Sequence, residues 1–123
     1  MEKDNKKTLV IGASTKPERY SNKAIQMLRE YNHEVVALAK RAGQVDDVSI
    51  QTEFPFDDDI HTVTMYLGAK RQPEYYEHLI NLKPERVIFN PGAENPELKE
   101  KLESAGIETV ENCTLVMLRT NQF

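Results

Sequence analysis

The chain has 123 residues, 39% hydrophobic and 29% charged, which suits one modest core, so we expect residues 1–123 to form a single domain. Sixteen basic and twenty acidic residues give a net charge of −4, which argues against a nucleic-acid partner, and no apolar run approaches the roughly 20 residues of a membrane span. The single cysteine, Cys113, cannot form an internal disulfide, so we expect a cytoplasmic protein.

The first predicted elements form a strand–helix–strand unit. Residues 8–11 are a continuous apolar run ending at Gly12, which is typical of a strand buried on both faces. A helix is predicted from Ser21, whose hydroxyl can accept a hydrogen bond from a first-turn amide. Residues 35–39 are predicted to be the second buried strand, which completes a βαβ unit with a right-handed crossover.

Residues 40–61 are the least regular part of the chain. Glycine, proline and runs of aspartate interrupt every periodic pattern, and residues 49–50 could form only a brief strand. We therefore predict an irregular segment without a long helix, although a connection of this length is unusual in a compact domain.

Regular alternation of strands and helices resumes after residue 61. Strands are predicted where β-branched and apolar residues run together. Helices are predicted where proline or asparagine opens an amphipathic segment, and we expect Asn95 to cap one of them. The predicted strands are 62–67, 86–89 and 107–110, and the predicted helices are 73–82, 96–105 and 113–117.

This order of elements predicts an α/β fold with a five-stranded, mainly parallel sheet and helices on both faces. We expect the strand order 3-2-1-4-5, with residues 62–67 as strand three. Ligands of such sheets bind beyond the carboxyl ends of the strands where the order reverses, which here means strands one and four. The loops after Gly12, Leu38, Leu67 and Phe89 would surround that crevice.

The loop from the first strand to the first helix, residues 12–21, carries the strongest functional signal. It leads into a helix N-terminus, whose free amides and partial positive charge attract an anion. Its glycine permits close approach, its two serines supply hydroxyls, and Lys16 and Arg19 add charge. These features predict a phosphate-binding loop, and the alternative is a solvated turn built around a tight glycine.

The dinucleotide fingerprint G-x-G-x-x-G is not present in this loop. Ser14 and Pro17 occupy the positions of its second and third glycines. The second strand runs into Lys40 and Arg41, not into the acidic residue that binds a ribose diol. A basic pair would suit a phosphorylated ribose, and the alternative is a pair of surface charges. Together these departures argue against an NAD enzyme.

Other candidate residues give weaker signals. Asn90-Pro91-Gly92, after the fourth strand, forms either a backbone wall beside the ligand or a turn into the next helix. Cys113 has apolar neighbours that indicate burial, so we expect an inert thiol rather than a reactive one. The histidines lack metal-ligand spacing, and no Ser-His-Asp or Cys-His arrangement can be assembled. We therefore predict no metal site and no catalytic residues.

The chain resembles the small single-domain CoA-binding proteins, which are similar to the N-terminal CoA-binding domain of the succinyl-CoA synthetase α subunit. The resemblance covers nearly the whole chain, from Lys7 to about Leu118, and implies a Rossmann-like three-layer sandwich that binds coenzyme A. The segments that carry it are Gly12-Ala13-Ser14 with Pro17, Arg19 and Ser21, then Asn90-Pro91-Gly92, and then Gly106-Ile107 leading to Cys113.

The resemblance also implies which residues contact the ligand. Lys40 would approach the adenosine and its 3′-phosphate, and Leu67 and Gly68 would lie by the adenine. The pantetheine arm would pass the segment Asn90-Pro91-Gly92. The residues implied for the phosphates are Gly12, Ala13, Ser14, Arg19, Tyr20 and Ser21. In place of the proline-rich residues that often follow the third strand in the family, this chain has Gly68-Ala69-Lys70.

We therefore expect a module that binds coenzyme A, or an acyl-CoA, without catalysing a reaction. One alternative is an enzyme that uses NADP or a CoA thioester. Another is a protein-interaction or regulatory module with a vestigial nucleotide pocket. The expected partner is a small nucleotide cofactor, with no nucleic acid and no membrane, and the small size is compatible with a homodimer.

Overall fold

The computed structural model describes residues 5–123, in which strands and helices alternate. The strands are β1 (Thr8–Ile11), β2 (Val35–Leu38), β3 (Gly43–Val45), β4 (Val48–Gln51), β5 (Thr62–Met65), β6 (Arg86–Phe89) and β7 (Glu108–Glu111). The α-helices are α1 (Tyr20–Glu30), α2 (Tyr76–Leu82), α3 (Pro96–Ser104) and α4 (Thr114–Arg119). Two 3₁₀ turns, Ala69–Arg71 and Pro73–Tyr75, connect β5 to α2.

The strands of the described chain form one seven-stranded sheet in the order β3-β4-β2-β1-β5-β6-β7. Every neighbouring pair is parallel except β3 and β4. Ile11 of β1 lies beside Leu38 of β2 and Met65 of β5, so these three strands end at one level. The predicted α/β class, with a mainly parallel sheet, is confirmed.

The number and order of the strands correct the prediction of five strands in the order 3-2-1-4-5. The predicted third strand, β5, lies beside β1, and the place next to β2 is taken by β4. β3 and β4 form a hairpin that turns at Asp46, whose φ is +51°. The hairpin strands have only three and four residues, and Gln44, Ser49 and Gln51 interrupt their apolar residues. They therefore lack the continuous apolar run that marks the central strands.

Two hydrophobic clusters cover the two faces of the sheet, because successive residues of a strand point to opposite faces. Leu9 and Ile11 of β1 pack with one pair of helices, whereas Val10 packs with the other pair. The first cluster includes Leu79, Leu98 and Leu102 of α2 and α3, and the second includes Ile25, Leu28 and Leu118 of α1 and α4. Helices on both faces of the sheet are as predicted.

The helix ends agree only in part with the prediction. α1 begins after Arg19, and no side chain of the described chain caps this end, so the predicted cap by Ser21 is wrong. Asn95 caps α3 as predicted, because its side-chain oxygen accepts a hydrogen bond from the amide of Leu98 at 3.2 Å. Between residues 5 and 123, no helix is long and apolar enough to cross a membrane.

Candidate functional site

A cleft of about 630 Å³ opens at the carboxyl ends of β1, β2 and β5. The strand order reverses between β1 and β5, and open α/β sheets bind ligands at such a switch point. The predicted crevice, at the ends of strands one and four, is wrong in its second strand, because β5 and not β6 is the neighbour of β1.

The loop from β1 to α1, residues 12–19, forms one wall of the cleft. Gly12 has a φ of +94°, and a Cβ atom there would lie 3.2 Å from the Leu67 side chain and 3.3 Å from its amide nitrogen. A side chain at this position would therefore be both strained and crowded. The amides of Gly12 and Ala13 donate to the carbonyl of Leu38 at 3.0 and 3.1 Å. These contacts fix the loop against the ends of β2 and β5.

Asn22, buried in the first turn of α1, supports the same loop. Its Nδ2 donates to the carbonyl oxygen of Ser14 at 2.9 Å, and its Oδ1 accepts from Gln26 Nε2 at 2.6 Å. The Ser14 Oγ accepts from the Lys16 amide at 3.1 Å, which leaves its own proton available to a ligand. Asn22 was not among the predicted site residues, although a polar side chain among the apolar positions of a predicted helix was a usable signal.

The N-terminus of α1 begins at the cleft, because its N-cap residue, Arg19, is a lining residue. With no capping side chain in the described chain, the first-turn amides and the positive end of the helix dipole are available to an anion. Neither Tyr20 nor Ser21 lines the cleft. Tyr20 is 68% exposed and Ser21 is buried, so these two predicted residues would contribute amides rather than side chains.

Positive charge is concentrated in the cleft. Among its described lining residues, one carboxylate, that of Glu74, faces six cations, although the chain has a net charge of −4. The cations are Lys16, Arg19, Lys40, Arg41, Lys70 and Arg71. A concave site with one sign of charge attracts ligands of the opposite sign. Lys70 and Arg71 were not among the predicted site residues, although two cations shortly after a strand end were a usable signal.

Lys40 and Glu74 form an ion pair between the end of β2 and the turn before α2. The Lys40 Nζ lies 2.5 Å from Glu74 Oε2 and 5.9 Å from the centre of the Tyr75 ring. The hydrogen bond from Lys40 holds the pKa of the Glu74 carboxyl below its usual value, and the pKa of Lys40 is raised by the same bond. Both groups are therefore charged at neutral pH.

Gln72 fixes the segment that carries Lys70, Arg71 and Glu74. Its side chain is fully buried, and its Nε2 donates to the carbonyls of Leu67 and Ala93, both at 2.8 Å. Its Oε1 accepts from Asn95 Nδ2, also at 2.8 Å. The amide thus ties the end of β5 to the segment before α3, and sequence analysis did not identify it.

Apolar residues also line the cleft, and one of them lies on the β3–β4 hairpin. These residues are Ala39, Ala42, Ile50, Leu67 and Tyr75. The hairpin also touches the first loop, because a Cβ atom on Gly43 would lie 2.5 Å from the Cγ2 atom of Thr15. The cleft therefore combines cations with apolar side chains, and the apolar side chains offer a surface for a flat, apolar group.

Asn90 is fully used by the fold. Its Nδ2 donates to Thr64 Oγ1 at 2.7 Å and to the Met65 carbonyl at 2.9 Å, and its Oδ1 accepts from the Thr114 amide at 2.8 Å. The side chain thus links β5, β6 and the start of α4 and is not a lining residue of the cleft. Pro91 and Gly92 are exposed and also lie outside the lining.

Two other predicted positions lie outside the cleft lining. Gly68 is exposed, whereas the adjacent Leu67 lines the cleft. Cys113 is half-buried as the N-cap residue of α4. Within residues 5–123, no group of three or more histidine, cysteine or acidic side chains could hold a metal ion. The structure thus brings together Gly12, Ala13, Ser14, Arg19, Lys40 and Leu67 of the predicted set.

Comparison with known proteins identifies a family and a shared fold. A family model described as a CoA binding domain matches residues 6–119. The crystal structure of an uncharacterized protein is 41% identical, with a TM-score of 0.95 over 98% of this chain and 100% of that chain. A hypothetical protein from Pyrococcus horikoshii OT3 is 26% identical, with a TM-score of 0.85 over 96% of this chain and 84% of that chain.

The same fold occurs within a larger enzyme. The dinucleotide-forming acetyl-coenzyme A synthetase 1 of Ca. Korarchaeum cryptofilum is 13% identical, with a TM-score of 0.71. The match covers 87% of this chain and 25% of that chain, so it shows a likeness of fold alone. A search of curated proteins finds no match.

Proposed function

This chain belongs to the CoA binding domain family, and from that premise we propose that it binds coenzyme A, or an acyl-CoA, in the cleft at the ends of β1, β2 and β5. The observation that carries the proposal is the six cations lining one concave site of an acidic chain. Coenzyme A has a pyrophosphate and a 3′-phosphate, so its charge complements this site.

The loop from β1 to α1 is the proposed pyrophosphate site. The first-turn amides of α1 can donate to phosphate oxygens, and Arg19 and Lys16 can add charge-assisted hydrogen bonds. Gly12 and Ala13 let the ligand approach the backbone, and Ser14 supplies a hydroxyl. Asn22 is a positioning residue, because its bond to the Ser14 carbonyl supports the shape of the loop.

The end of β2 is the proposed site of the 3′-phosphate, with Lys40 and Arg41 as its cations. The adenine would rest against the apolar lining residues near Leu67 and Gly68. The pantetheine arm would leave the cleft along the backbone of the segment Asn90-Pro91-Gly92, since the Asn90 side chain is already bonded within the fold.

We infer binding without turnover by a single cytoplasmic module of residues 1–123. The described lining residues are mainly cations and small or apolar side chains, which suit the holding of an anion. An enzyme acting on CoA thioesters is the alternative, and hydrolysis of an acyl-CoA that disappears in Cys113→Ser would favour it.

Isothermal titration with CoA, dephospho-CoA, NADP and NAD tests the proposal. We expect CoA to bind most tightly, dephospho-CoA less tightly and NAD least. Arg19→Ala should weaken CoA binding about tenfold or more, because a charge-assisted hydrogen bond is lost. Lys101→Ala, on the exposed side of α3, is the matched control and should leave the affinity unchanged. Absence of CoA binding would refute the proposal, and tightest binding of NADP would favour the enzyme alternative.

A further inference from the structure

Glu74 is the one acidic side chain among the described residues that line the cleft. It lies in the 3₁₀ turn Pro73–Tyr75, and its partner, Lys40, follows β2. The 2.5 Å contact between them therefore bridges two chain segments that border the cleft. A carboxylate in a site built of cations works against an anionic ligand, so its presence needs a separate explanation.

Glu74 is held by a direct contact with a cation of the cleft. The Lys40 Nζ donates to Glu74 Oε2, and this hydrogen bond is the main cause that holds the pKa of the carboxyl below its usual value. The Lys40 Nζ also lies over the ring of Tyr75, 5.9 Å from the ring centre. An anion held by Lys40 is thus already present in the ligand-free protein, and it belongs to the chain itself.

We propose that Glu74 is a displaceable placeholder, whose carboxylate occupies the position of the ligand's 3′-phosphate on Lys40 until that phosphate replaces it. This inference rests on the proposed function. A phosphomonoester carries about −1.5 to −2 charges at pH 7 and three acceptor oxygens, so it competes well against a carboxylate with one charge.

The exposure of the pair allows the exchange. The side chains of Lys40 and Glu74 are 63% and 51% exposed, so they can separate without disturbing the core. Exposed pairs of this kind are weak. Glu74 therefore lowers the affinity for a ligand that takes Lys40, and leaves a ligand without the 3′-phosphate largely unaffected.

The first test compares Glu74→Gln with Glu77→Gln, which removes the same charge from an exposed position on α2 outside the cleft lining. The Kd values of CoA and dephospho-CoA are measured for both variants and the wild type by titration calorimetry. In Glu74→Gln we expect CoA to bind about two- to fivefold more tightly, the range typical of an exposed ion pair. The affinity for dephospho-CoA should change less, and Glu77→Gln should change neither.

The second test is a double-mutant cycle with Lys40→Ala. If Glu74 acts by occupying Lys40, the gain in CoA affinity from Glu74→Gln should disappear in the Lys40→Ala background. A gain that persists there, or one that is equal for CoA and dephospho-CoA, overturns the inference and leaves the proposed function intact. Weaker CoA binding by Glu74→Gln also overturns it, since Glu74 would then hold the ligand. A wild-type protein that does not bind CoA refutes both proposals.

Discussion

Three buried amide side chains support the segments around the cleft. Asn22 holds the loop after β1, Gln72 holds the segment after β5, and Asn90 links β5, β6 and α4. Each side-chain amide forms hydrogen bonds with backbone groups or with other side chains. Its replacement would leave those partners unsatisfied and would lower the free energy of unfolding. The role of such a residue therefore depends on its hydrogen-bond partners. Asn90 follows a strand end, yet its side chain is bonded within the fold and is not by itself a ligand contact.

Replacement of Asn90 by alanine should lower the free energy of unfolding by about 2–4 kcal/mol. The change removes three hydrogen bonds and leaves the buried Thr114 amide and Met65 carbonyl without this partner. Urea denaturation followed by circular dichroism measures the effect. Asn112→Ala is the control, because the Asn112 side chain accepts only an exposed bond from the Cys113 amide. A loss below about 1 kcal/mol in Asn90→Ala would contradict the structural role.

The β3–β4 hairpin is the element that completes the cleft. It supplies Ile50 to the lining, next to Ala42 just before β3, and it approaches the first loop at Gly43, where no larger residue fits without movement of Thr15. Parallel pairing of β4 with β2 places the hairpin beside the end of β2. The first loop is therefore packed against an element that lies 28 residues further along the chain, through the contact of Thr15 with Gly43.

Gly43→Ala should weaken CoA binding severalfold, because the added methyl group would displace Thr15 and shift the loop. Thr15→Ser removes the crowded Cγ2 atom, so the double variant should recover most of the affinity, and Thr15→Ser alone should bind nearly as the wild type does. Titration calorimetry of the four proteins measures this coupling. An unchanged affinity in Gly43→Ala would show that the hairpin does not control the loop.

Across the whole molecule, charge is distributed unevenly. The chain carries −4 overall, yet six of its 16 basic residues line one cleft. The acidic residues elsewhere keep the net charge away from zero, which favours solubility, while the cations of the cleft give the switch point of the sheet a local field that suits the proposed anionic ligand. Attraction of this kind is screened by salt.

CoA affinity should therefore fall with ionic strength. We expect the Kd of CoA to rise about tenfold between about 0.05 and 0.5 M NaCl, because the Debye length shrinks below the size of the cleft. Dephospho-CoA, with fewer charges, should show a smaller rise. Titrations at several salt concentrations measure both slopes, with the unfolding midpoint recorded as a control for folding. An affinity that does not depend on salt would mean that the apolar lining residues, not the cations, hold the ligand.

Local patterns in the sequence determined the central strands, the cap of α3 and the loop that lines one wall of the cleft. Continuous apolar runs identified the central strands, Asn95 was identified as a cap, and residues 12–21 were predicted to form a loop suited to phosphate. These features depend on neighbours within a few residues, through helix periodicity, capping and the conformational freedom of glycine. Because these features are local, they can be recognised in a single sequence.

Only the tertiary structure decided which strands are neighbours and which distant side chains meet. The place beside β2 is taken by β4 of the short β3–β4 hairpin, and β5 lies beside β1. The alternating polar residues of the hairpin give a weak pattern, so the predicted order was wrong. The contacts of Lys40 with Glu74 and of Thr15 with Gly43 join residues far apart in the chain. Such contacts form when helices and loops fold over the two apolar faces of the sheet. No local sequence pattern therefore predicts them.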